Sequence, residues 1–149
     1  MLFRSHQVLE AGVKADDLVV FKYEDQGVAT LEDGLYVQED RLKDPAFVAT
    51  MAKFVKASMM GWADMAKDPA GAVKTVLEND ASGSQTEAHQ TTMVEEVNKL
   101  VDGSDGMLDV AAADRTVATL LAGGSDPVIT KKPEGAWTDV VMKAAMALK

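Results

Sequence analysis

Two Asp-Pro pairs, Asp44-Pro45 and Asp68-Pro69, constrain this chain more than any other feature. In such a pair the carboxylate accepts from an otherwise unsatisfied amide of a first helical turn. The proline gives up no N–H at the first helical position, and its φ suits the helix. The residue before a proline is also pushed out of the helical region, so the second pair ends one helix as it starts another. Between the pairs Phe47, Met51, Phe54, Val55, Ser58, Met59, Trp62 and Met65 recur at three- and four-residue spacing, which places them on one face. The pattern predicts a long helix from Asp44, then a second one burying Ala72, Val73, Val76 and Leu77.

The same reasoning extends to the C-terminus. Asn79 to Gly83 reads as a turn. Ser84-Gln85-Thr86-Glu87 has the form of a capping box, and the helix it opens puts His89, Met93, Val97 and Leu100 on one face. Asp109 caps a helix carrying Val110, Val117, Leu120 and Leu121, closed by Gly123-Gly124. After an irregular arm with Pro127 and Pro133, a last helix carries Trp137, Val140, Val141, Ala144 and Leu148.

The first forty residues differ. Gln7 to Ala11 reads as the end of a helix stopped at Gly12. Leu18-Val19-Val20-Phe21 is a short apolar run with β-branched and aromatic members, expected to be a buried strand; Gly34 to Gln38 is a second strand candidate. Between and around them lie Glu24, Asp25, Glu32, Asp33, Glu39 and Asp40. Such carboxylates are either ordinary solvated charge or groups at the carboxyl edge of a sheet, where α/β proteins bind ligands. The residues alone favour neither.

Charge limits the partners. The net charge is −9, and the only adjacent cations are Lys131–Lys132. That balance opposes nucleic acid and anionic membranes, which are held by clustered Lys and Arg. The absence of cysteine removes disulfides, thiolate metal sites and cysteine nucleophiles. No apolar run approaches the roughly 20 residues of a membrane helix, and MLFRSHQVLEAG lacks the apolar stretch of a signal peptide. The tetrapeptide Leu2–Ser5 is also what the end of a common sequencing adapter encodes, so residues 1–5 are expected to be non-native.

Isolated chemical groups have plain readings. His89 shares a face with Met93 and Val97 and reads as a packed helix histidine, with no Ser-His-Asp arrangement around it. Asp102 to Met107 is rich in oxygen donors like the start of a calcium loop. The glutamate such a loop needs at its twelfth position is Ala113 here, so it reads as a helix–helix turn. The nine methionines fall mostly at core spacing.

The run GVATLEDGLYVQEDRLKDPAFVATMAKFVKASMMGWADMAKDPAGAVKTVLEND resembles the return segment and following helices of ABC-transporter solute-binding proteins. The class is that for nitrate, sulfonate, taurine and thiamine-pyrimidine precursors. SGSQTEAHQ and GGSDPVITKKPEGAW are similar to its thiamine-precursor-binding branch. The resemblance covers nearly everything from Val8 onward and corresponds to the C-terminal half of such a protein. It implies an α/β fold: a fragment of a two-lobed type II periplasmic-binding-protein clamp, with about two strands followed mostly by helices. Residues 6–33 would be the end of the second lobe and the hinge return, and residues 34–149 the C-terminal part of the first lobe.

The function so implied is capture of a small polar solute, such as an aminopyrimidine thiamine precursor, in an interlobe cleft for delivery to an ABC permease. Neither catalysis, a cofactor nor a metal is implied. Tyr23, Glu24, Asp25, Gln26 and Glu32 would lie on the hinge facing the ligand, where carboxylates suit amino groups better than anions. Location would be periplasmic or extracellular. One alternative is a thiamine-pyrimidine synthase-like enzyme, which resembles a protein needing histidine, pyridoxal phosphate and a cysteine-rich iron site. The other is a stand-alone acidic helical interaction protein.

Overall fold

A computed structural model of the chain describes residues 2–149, with side-chain environments from Ser5 onward. Met1 therefore lies outside the described residues. Six α-helices follow in order: α1 Leu2–Glu10, α2 Pro45–Lys67, α3 Pro69–Glu78, α4 Glu87–Val101, α5 Val110–Leu121 and α6 Val140–Ala147. Short 3-10 turns occupy Ala15–Asp17, Glu24–Gln26 and Glu39–Lys43.

Local capping chemistry sets most of these starts. Asp44 accepts from Ala46 N at 2.9 Å, and Asp68 accepts from Gly71 N at 2.9 Å. Asp109 accepts from Ala111 N and Ala112 N at 2.9 and 3.1 Å. Each contact satisfies amides that the first turn leaves without a partner. The α4 start falls two residues past Ser84: the cap is Thr86, whose hydroxyl accepts from His89 N at 3.2 Å. The last helix begins at Val140, three residues after Trp137.

No strand occurs among the described residues. This corrects the expected α/β fold, the two-lobed clamp and both strand assignments. Leu18–Phe21 and Gly34–Gln38 have strand composition, but a strand exists only when another backbone accepts and donates beside it. Two short candidates make a marginal sheet at best, and here they do not pair. Val19, Phe21, Leu35 and Tyr36 are instead 80%, 67%, 70% and 86% exposed.

The chain divides into two compact units, Met1–Val20 with Ala57–Asp105, and Phe21–Lys56 with Gly106–Lys149. In the first, α3 packs on α4 and α1 packs on α4. Met65, Val73 and Val94 form its buried centre, with Ala72, Leu77, Val97 and Val101 around them. Full burial of a valine side chain contributes about 1.5–3 kcal/mol, so Val73 and Val94 are its principal anchors. In the second, Ala52, Ala112 and Ala145 are the buried apolar residues among those described. The Arg41 guanidinium sits 4.5 Å from the centre of the Phe47 ring, tying the Glu39–Lys43 turn to the start of α2.

Candidate functional site

The segment from Tyr23 to Asp40 joins Phe21–Lys22 to α2, and it holds every residue expected to face a ligand. Tyr23, Glu24, Asp25 and Gln26 are brought together in one turn. Tyr23 O accepts from Gln26 N and from Val28 N, each at 3.0 Å. Gly27 closes the turn at φ +75°, a left-handed conformation that an L side chain adopts only with strain. All four side chains are exposed. Glu32 lies farther along, also exposed, on a stretch with no regular structure.

One contact anchors this stretch within its unit. Leu31 N donates to Thr116 Oγ1 on α5 at 2.8 Å, and Thr116 is itself oriented by donating to Ala112 O at 2.9 Å. Past that point, from Glu32 to Val37, the backbone makes no hydrogen bond among the described residues. The chain is fixed again where Gln38 O accepts from Arg41 N at 3.0 Å. Leu35, Tyr36 and Val37 therefore stand exposed on a tethered arm, with Glu32 and Asp33 before them and Glu39 and Asp40 after. Lys43 Nζ lies 2.6 Å from Asp40, partly neutralising the far end.

A second feature lies in the other unit. His89 Nδ1 approaches both oxygens of Glu10, at 2.9 and 3.1 Å. The histidine side chain is 13% exposed and the glutamate 41%. The pair ties α4 to α1 and is a strut between helices. Beside it in sequence, Asp80 organises the turn into α4, accepting from the Ser82 hydroxyl, from Ser82 N at 2.9 Å and from Gln85 N at 2.8 Å. The Ser82 hydroxyl, then the Gln85 amide, hold its carboxyl below the usual range. Glu96 is likewise lowered, first by its hydrogen bond from Lys99. A depression of about 440 Å³ is lined by Ala70, Val73, Lys74, Leu77, Glu78 and Glu87. Among the described residues, no group of three or more His or carboxylate side chains is close enough to hold a metal ion, and no helix is long and apolar enough to cross a membrane.

A family model described as "NMT1/THI5 like" matches residues 1–72, just under half of the chain. No curated protein and no solved structure matches. The chain is thus similar to that family over its N-terminal part. The described residues of that range form α1, the three 3-10 turns, α2 and the start of α3, and among them there is no strand. A solute-binding clamp needs a sheet core in each lobe to frame its cleft. The expected identity as the C-terminal half of an ABC-importer solute-binding protein therefore does not hold. With it fall solute capture in an interlobe cleft and the solute and permease partners.

Sequence reasoning missed the His89–Glu10 pair, because the two residues are 79 positions apart and only helix packing joins them. It also missed the anchoring role of Thr116, which reads as an ordinary helix threonine.

Proposed function

We propose that this chain acts by association, as an acidic helical protein whose arm from Glu32 to Gln38 is buried against a macromolecular partner. The observation that carries this reading is unspent apolar surface. Leu35 and Tyr36, 70% and 86% exposed, lie in the part least used by the protein itself. Apolar groups grouped on a tethered arm and rimmed by charge are a characteristic binding surface. Chemistry is a poorer fit to the same surface, because its carboxylates sit in solvent.

The test is a photo-cross-linker at position 36, with position 53 on α2 as control, in cells that carry the gene. The adduct is identified, purified and titrated with the chain. Replacing Leu35, Tyr36 and Val37 by serine should weaken binding at least about tenfold, equivalent to about 1.4 kcal/mol, with helix content unchanged. Equal affinity, or equal cross-linking from both positions, would remove the arm as the surface.

A further inference from the structure

We infer that the arm binds by strand addition: Gly34–Gln38 pairs with the open edge of a β-sheet in a partner whose neighbouring residues are cationic. This rests on the association reading above and names the partner's chemistry.

Three observations converge. The backbone of Glu32–Val37 makes no hydrogen bond among the described residues. Its donors and acceptors are free to form a ladder, and an extended segment with free backbone groups is a template for pairing. The side chains fit that use. Leu35 and Val37 fall on one side of an extended chain and Tyr36 on the other, so the segment can offer two apolar groups to one face and an aromatic ring to the opposite one. The ends of the segment are held, by Leu31 on Thr116 at 2.8 Å and by the Glu39–Lys43 turn. Part of the ordering entropy of the bound state is therefore already lost before binding.

Charge selects the partner. Glu32 and Asp33 precede the strand and Glu39 and Asp40 follow it. The nearby cations are engaged, Arg41 on the Phe47 ring and Lys43 with Asp40. A second copy of this chain would set these carboxylates against their like, which is destabilising in directly opposed pairs. A sheet edge flanked by Lys or Arg would meet them favourably, and five strand residues span about 17 Å between the two acidic ends.

The test uses the full chain and a capped peptide of alternating threonine and valine with lysine at both ends. The readout is amide hydrogen exchange at Leu35, Tyr36 and Val37. Saturating peptide should slow these amides by about tenfold or more, as ladder formation does. A peptide N-methylated at every residue, which leaves no donor on either edge, should have no effect, and one ending in glutamate should bind about tenfold more weakly. Tyr36→Pro, at an exposed site, should abolish the slowing without changing the helix signal. No slowing, or equal slowing by the N-methylated peptide, overturns strand addition. Equal binding of lysine- and glutamate-ended peptides overturns the cationic partner. If position 36 cross-links to a partner while the peptide protects nothing, pairing fails and association stands. If these amides are already protected in the free chain, both fail.

Discussion

Gly71 is a helix glycine whose replacement should not have its usual effect. In a helix, alanine is favoured over glycine by about 1 kcal/mol. Gly71 is the third residue of α3, and its amide is the one Asp68 caps. A Cβ added there would lie 2.2 Å from Asp68 Oδ2 and 2.8 Å from Asp68 Cγ. The carboxylate must swing away, and losing an aspartate cap costs about 1 kcal/mol. Gly71→Ala should therefore be near neutral. Asp68→Ala should destabilise by about 1 kcal/mol, and the double variant should recover most of that loss, giving a coupling of about 1 kcal/mol. The assay is urea unfolding followed by circular dichroism, at constant m-value. If Gly71→Ala stabilises by about 1 kcal/mol whether or not Asp68 is present, the cap is not coupled to this position and the reasoning is wrong.

Three further outcomes follow from the packing and the polar contacts. Val94→Ala, which empties part of the Met65–Val73–Val94 centre, should cost about 2 kcal/mol in the same unfolding assay. His89→Ala should release α1 from α4. Because Glu10 is substantially exposed, the loss is set near 1 kcal/mol, read as roughly fivefold faster exchange of α1 amides with α3 unaffected. Asp80 has its carboxyl lowered from 3.8. Its contribution to stability is thus present above that value and is lost as pH falls through the lower folded value. Asp80→Asn should flatten the acid limb of the stability curve below that point and leave neutral pH behaviour without this pH dependence.

The helices were legible because their starts are local chemistry. Asp44, Asp68 and Asp109 cap the amides two or three residues on, and that spacing is visible in a one-dimensional string. Where a second acceptor competes, the reading slips. Asp80 takes Ser82 and Gln85 into its own turn, so the helix expected at Ser84 is capped by Thr86 instead. The strands were not legible for a different reason. Val19, Phe21, Leu35 and Tyr36 show what a pleated surface would accept, but not whether a second backbone is there to accept it. The resemblance to a clamp supplied that missing partner by analogy, and the fold does not contain it. The acidic turn Glu24–Gln26 and Glu32 were found by composition. Their free backbone neighbours and the Thr116 anchor needed coordinates, because the contact spans 85 residues.

The most direct test of the account is the nuclear Overhauser pattern of the isolated chain at Leu18–Phe21 and Gly34–Gln38. An unpaired arm predicts sequential contacts only, with chemical shifts near extended coil, while α2 to α5 give helical connectivities. Cross-strand contacts between amide or α protons of these segments and any other backbone would contradict it. They would restore the sheet that the strand-like composition first suggested, and they would remove the free edge on which the binding proposal depends.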